Sequence, residues 1–315
     1  MPYSDEQLIQ LIQKAGITTA TGGQVPPEAV SDFINLMTDQ TSVLQHMRIE
    51  RDIIKSRTID GLEFGDPVMQ EAPAEGSEPN ENAISEPEMP RLTLTPTKAM
   101  IAVNISFDWL RKNIAGENAG EQAVNAALAK AYGRDLVRLI FNGDTALDSS
   151  TKLNRLLKLR DGLLKKARAD ANVNDVVVAA NPVYSGSGSE FSKTLTAIPD
   201  EYRDDRSMLR HFVAMDVLDQ FEDEVSERQT SAGDGVLIGN ADISMHKKVK
   251  IVPVFGMPSD TPLTTNYSNV VVGFGRDMKM WREIKPRKQQ VELTIITDVD
   301  FGYVFGEVIA LGEKA

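Results

Sequence analysis

Cysteine is absent from all 315 residues, so neither a disulfide nor a thiolate-bound metal is available to this chain. Histidine is scarce. His46, His211 and His246 are the only three, and no two stand at ligand spacing, which argues against a histidine-built metal site. No apolar run approaches the roughly 20 residues of a membrane span, so no membrane partner is expected. The first segment carries Asp5 and Glu6 and lacks a basic stretch followed by an apolar one, which argues against a signal peptide. Together with the missing cysteines this points to intracellular folding. The net charge is −12, and a chain this acidic repels nucleic acid. Sequence-specific DNA binding is therefore not expected, although a protein that merely encloses DNA remains compatible.

Catalytic signatures are missing too. Ser185-Gly186-Ser187-Gly188-Ser189 reads as a flexible loop without the Lys-Ser/Thr that completes a phosphate-binding loop. Gly233-Asp234-Gly235 has neither the spacing nor the following helix, and Gly273-Phe274-Gly275 lacks a third glycine. No Gly-x-Ser-x-Gly elbow occurs. With 46 Asp and Glu residues, no pair of carboxylates can be singled out for acid–base work. No catalytic residue, metal ligand or cofactor is assigned, and an enzyme is not expected.

Hydrophobic residues make up 41% of the chain and charged residues 25%, enough to bury a substantial core. Leu8, Ile9, Leu11 and Ile12, and then Val30, Phe33, Ile34 and Met37 after Pro26-Pro27, fit two short helices joined by a Thr/Gly-rich linker. Strand character follows from Val43 to Phe64, with Asp60-Gly61 as a turn signal. Between Arg57 and Arg91 there is no Lys or Arg, while Glu63, Asp66, Glu71, Glu75, Glu78, Glu81, Glu86 and Glu88 are all acidic. Pro67, Pro73, Pro79, Pro87 and Pro90 forbid regular helix there. Arg91 to Ser106 alternates like a strand, so the whole insertion reads as a long hairpin. With about 20 residues per arm it would reach on the order of 60 Å. That exceeds a domain radius of about 20 Å and suggests contact with a neighbouring subunit.

Next comes the clearest helix, about 118–141, stopped by Asn142-Gly143-Asp144. A second helix is expected over about 150–170, with Lys158, Lys165, Lys166 and Arg168 among its cations. This basic face is a candidate partner for the acidic hairpin of a neighbour, weighed against an ordinary solvated helix face. The remainder is mixed. A buried strand is expected at 175–180, helices at 190–202 and 215–225, and strands at 248–255 and 269–274. Two final strands within 291–311 are expected to be separated by a turn at Asp298 to Gly302. The order is that of an α+β protein.

This order resembles the major capsid proteins of tailed bacteriophages, the Hong Kong 97 type fold. The residues that carry the resemblance are Ala119 to Asp144, ending in Leu139-Ile140-Phe141-Asn142-Gly143-Asp144, and Lys250-Ile251-Val252-Pro253-Val254 after Gly239-Asn240. The closing stretch from Phe301-Gly302-Tyr303 to Leu311 completes the set. The resemblance implies an N-terminal arm over 1–48 and an extended loop over 49–105. It implies a peripheral domain over 106–172 and 276–315, with a long spine helix, and a mixed axial domain over 173–275. It further implies hexamers and pentamers closing into an icosahedral shell around double-stranded DNA, held without sequence specificity. The setting would be the virion, assembled in the host bacterial cytoplasm. The partners would be further copies of the chain, a separate scaffolding protein, a portal and a decoration protein. No residue pair suggests a covalent crosslink, so assembly is expected to be noncovalent. An encapsulin-like compartment shell, or another structural protein of the virion, is the alternative reading.

Overall fold

The computed structural model describes residues 23–24, 37, 41–64, 68–69, 87–108, 119–227, 245–276 and 279–314. The N-terminal helix expected near residues 5–15, that near 28–37 apart from Met37, the hairpin tip, Gly233-Asp234-Gly235 and Gly239-Asn240 lie outside the described residues; Met37 is helical and buried in the main core.

Fourteen strands are present among the described residues: β1 Gly23–Gln24, β2 Arg48–Ile53, β3 Arg57–Asp60, β4 Arg91–Leu94, β5 Thr97–Ser106, β6 Asn174–Val178, β7 Leu209–Ala214, β8 Met245–His246, β9 Val249–Val254, β10 Leu263–Asn266, β11 Val270–Gly275, β12 Lys279–Lys285, β13 Gln290–Tyr303 and β14 Ala310–Lys314. The helices are α1 Ala119–Asn142, α2 Lys152–Leu157, α3 Leu163–Ala169, α4 Glu190–Ala197 and α5 Met215–Ser226. The architecture is α+β, as the sequence pattern indicates.

Of the two six-stranded sheets the first runs β1-β12-β13-β11-β2, with β5 also paired to β13, and the second runs β6-β14-β10-β7-β9-β8; β3 and β4 form a separate two-stranded sheet. Strands from distant parts of the chain meet in each sheet. β11 lies in the first sheet between β13 and β2, and β14 lies in the second between β6 and β10. A single large apolar cluster joins the sheets and helices. It includes Tyr132, Leu136 and Ile140 of α1, Leu163 and Leu164 of α3, Phe212 of β7, Phe274 of β11 and Phe301 of β13.

The long helix forms as its periodicity requires. Leu136, Leu139 and Ile140 recur at spacings of three and four and are buried, so one stripe faces the core. It ends where expected, because the Gly143 N–H bonds back to Leu139 and Gly162 N–H donates to the Gly143 carbonyl at 2.7 Å. The two glycine backbones touch: a Cβ on Gly143 would lie 2.1 Å from the Arg160 carbonyl.

Four expectations are corrected. The second helix is two short ones, α2 and α3, broken at Arg160-Asp161-Gly162, because Gly162 must approach Gly143 and Arg160 turns to a buried partner. The strand at 174–178 is a half-covered edge strand, not a buried one, with Val177 67% exposed. Asp298 to Gly302 is not a turn: β13 runs straight through it, and the chain reverses only over 304–309. The Asp60-Gly61 turn signal is likewise overridden, since both residues belong to one arm of the hairpin.

Candidate assembly site

The hairpin begins as a regular ladder. β3 pairs antiparallel with β4 from Arg57 opposite Leu94 to Asp60 opposite Arg91. The pairing continues outward through Gly61 N–H to the Pro90 carbonyl at 2.8 Å and through a reciprocal Glu63–Glu88 pair at 2.9 and 2.7 Å. Its root is seated on the first sheet through a separate small core of Ile53, Ile59, Leu94 and Val271, backed by Leu92 and Val304. Bare glycine makes this seat possible: a Cβ on Gly302 would fall 2.7 Å from Leu92. The hairpin therefore leaves the subunit in a direction set by packing.

A buried ion pair clamps the strand leaving the hairpin. Asp300 is 1% exposed. Its carboxylate accepts from Arg160 Nε at 2.8 Å and Nη2 at 2.6 Å, from the Thr95 N–H at 2.6 Å and from the Phe301 N–H at 2.8 Å. Arg160 Nη1 also donates to Thr97 Oγ1 at 3.2 Å. Thr95 lies at the break between β4 and β5, so the clamp joins hairpin, sheet and helix pair. Four donors on one carboxylate provide the compensation a buried charge requires.

Of the expected acidic contact residues, Glu63 and Glu88 stand opposite each other on the stem. Burial, then the charges of Glu307, Glu88 and Glu201, push the Glu63 carboxyl above its ordinary range. Asp66, Glu71, Glu75, Glu78, Glu81 and Glu86 lie outside the described residues. The expected cations are largely engaged within the subunit. Lys165 bonds Asp144 at 2.6 Å and Asp161 at 2.7 Å. Lys166, held below the usual lysine range by burial, donates to the Phe301 carbonyl at 2.5 Å and sits over the Phe301 ring. Arg168 pairs with Glu313. Lys158 is exposed, near Asp148.

The hairpin carries a second feature besides its charge. Leu62, Phe64, Val68, Met69 and Met89 are all exposed, Leu62 at 61% and Met69 at 92%. All five belong to the hairpin, where they accumulate on one element. The signal was present as apolar residues recurring inside an acidic, proline-rich run, where solvation alone calls for none.

The Ser185 to Ser189 loop proves to be tied down. The Glu224 carboxylate accepts from Tyr184 N–H and Ser185 N–H, and Ser189 caps α4. Among the described residues no cluster of three or more metal-ligating side chains occurs.

The chain is 23% identical over 309 residues to a Bacillus subtilis (strain 168) protein named as a prophage capsid protein, covering 92% of this chain and 93% of that one. A solved chain from the satellite phage P4 procapsid superposes with a TM-score of 0.66 over 99% of this chain and 98% of its own, at 16% identity. The chain has the fold of a phage capsid protein. A chain from the capsid of a native GTA particle superposes with a TM-score of 0.59, covering 88% of this chain and 91% of its own at 14% identity. No family model matches. In this capsid fold the hairpin stem, its seat and the Asp300 clamp are built from residues of a single subunit.

Proposed function

We propose that this chain is a major capsid protein of a tailed phage, with the Hong Kong 97 type arrangement of arm, extended loop, peripheral domain and axial domain. Copies join as hexamers and pentamers and close into an icosahedral shell around double-stranded DNA. The observation that carries the reading is the hairpin: its stem is fixed by packing, while Leu62, Phe64, Val68, Met69 and Met89 along it are exposed. Such an element contacts a different patch on the next copy, the head-to-tail geometry from which rings are built. Each Leu, Phe or Met covered in such a contact contributes up to about 1.5–3 kcal/mol. Those contributions are repeated at every interface of the shell.

With Lys165 and Arg168 paired inside their own subunit, the acidic tip residues Asp66, Glu71, Glu75, Glu78, Glu81 and Glu86 keep Lys158 as the accessible cation of the proposed pairing. The acids of the hairpin then act mainly to keep free subunits apart until apolar docking occurs. Assembly is noncovalent and proceeds in the host cytoplasm, with a separate scaffolding protein, a portal and a decoration protein as further partners of the virion.

Negative-stain microscopy and light scattering of the overproduced chain test the proposal. Round shells, or rings of five and six subunits, are expected. A chain that stays monomeric alone and when produced with the other head proteins of its phage overturns it.

A further inference from the structure

Lys130, Arg134 and Arg138 follow one another at steps of four residues along α1, so the three cations share one face of the helix. Lys130 and Arg134 are exposed and Arg138 is half-buried. The turn that leaves β9 is held against this face. Asn142 Nδ2 donates to the Gly256 carbonyl at 2.9 Å, and Gly256 adopts a φ of 81°, in the left-handed region that favours glycine. A Cβ there would also crowd Arg138, lying 3.2 Å from its Nε. The turn thereby brings Phe255 to both arginines. The Arg138 guanidinium stands 4.2 Å from the ring centre and that of Arg134 stands 5.8 Å away.

Apart from this ring, no hydrogen bond or ion pair engages either guanidinium among the described residues. Asp135, the acid beside them on the helix, pairs with neither. The contrast with α3 is plain, since Lys165 and Arg168 are matched by carboxylates of their own subunit. Phe255 is 41% exposed. The result is an accessible aromatic ring bordered by cations whose donors are unused.

The hairpin has the complementary character. It carries no Lys or Arg between Arg57 and Arg91, and Glu63 and Glu88 stand opposite each other on its stem. Leu62, Phe64 and Met89 are exposed beside those two acids. Acid around apolar side chains thus matches cation around an aromatic ring. An arginine fork can hold a carboxylate by two bonds, and apolar contact next to it excludes water, which strengthens the pairing beyond that of an open surface. Phe255 and Met89 are both exposed in one subunit, so the two surfaces meet between copies.

We propose that Arg134, Arg138 and Phe255 form the seat on one subunit for the acidic, apolar hairpin stem of the next copy. This rests on the capsid reading above and supplies the residues of the receiving side.

The absence of cysteine makes the contact traceable. Met89→Cys combined with Lys130→Cys gives the chain two thiols, both at exposed positions. In assembled shells a short bismaleimide should join copies into a ladder on denaturing gels, whereas Met89→Cys with Lys158→Cys should give none. Shells that form normally without the Lys130→Cys ladder, or that show a ladder from the Lys158→Cys pair alone, overturn the proposal. A parent chain that forms no shells, alone or with the other head proteins of its phage, instead overturns the capsid reading itself. Arg134→Glu with Arg138→Glu should weaken each contact about tenfold and lower the yield of shells, the gap to the parent narrowing as salt is raised. Full yield from that variant overturns the proposal, and weaker retention of DNA in such shells would assign the patch to nucleic acid. Should the charge-reversed chain not fold, as read by circular dichroism, the crosslink decides.

Discussion

Replacing Arg160 with methionine keeps most of the volume of the side chain but removes both charge-assisted bonds to Asp300. The carboxylate, 1% exposed, would then keep only the N–H groups of Thr95 and Phe301. Removing one partner of a buried pair typically costs about 3–5 kcal/mol, because the remaining charge is stranded. Two surviving amide donors preserve part of the compensation, and Arg160 itself is about 30% exposed, so it already receives help from water. The expected loss is therefore about 2–4 kcal/mol. For 315 residues, with unfolding entropy near 2.1 cal/mol/K per residue, that is a fall of about 3–6 °C in melting temperature. Urea denaturation of the unassembled subunit, followed by circular dichroism, measures the change in midpoint, and hydrogen exchange at Thr95 locates it. A loss below about 1 kcal/mol, with the Thr95 amide still protected, would show that the clamp does not hold the hairpin exit as described.

Leu136→Asp places a charge on the buried stripe of α1, where the parent side chain is 2% exposed, and should cost more than about 4 kcal/mol; soluble, native-like protein in a denaturation series would contradict this. Changing Leu62, Phe64 and Met89 together to serine should alter subunit stability by less than about 1 kcal/mol, since all three are exposed, while sharply reducing the yield of shells; unchanged yields in light scattering would count against apolar docking. Burial, and then the nearby His246, hold His211 down to about 3, below the free value of about 6.5. Its contribution to stability is therefore complete above about pH 6.5 and is lost as the pH falls towards 3. Denaturation midpoints for the parent and His211→Gln should converge over that range, and a constant gap between the two would refute the assignment.

Much of the fold could be read from local pattern, and the misreadings have physical causes. α1 was legible because its buried positions repeat every three or four residues and an Asn-Gly pair ends it. Asp298 to Gly302 looked like a turn because Asp and Gly usually mark one. Here Asp300 is buried for the sake of Arg160, 140 residues away, and Gly302 is small for the sake of Leu92. The cations of α3 suggested a solvent-facing basic stripe. Lys165, Lys166 and Arg168 instead meet Asp144, the Phe301 carbonyl and Glu313, partners that only the tertiary fold supplies. His211 and His246 showed no useful spacing because a sheet, not a helix, brings them together. Of the candidate contact surface, the charge was conspicuous in the sequence, but the exposure of Leu62, Phe64 and Met89 was not, because pattern alone cannot tell a projecting apolar residue from a buried one.

The place of β14 bears on the timing of synthesis. Residues 310–314 lie between β6, some 130 positions earlier, and β10, and they pair with both. Until those five residues have emerged from the ribosome, β6 has no strand to pair with and β10 presents an open edge. The second sheet is thus closed by a segment made well after both of the strands it joins. A nascent chain can expose its hairpin long before it owns a finished body on which a neighbour's hairpin could settle. On a polysome, where many copies grow side by side at high local concentration, this ordering would delay docking of one copy on another until the second sheet is closed, and so guard against linking unfinished subunits.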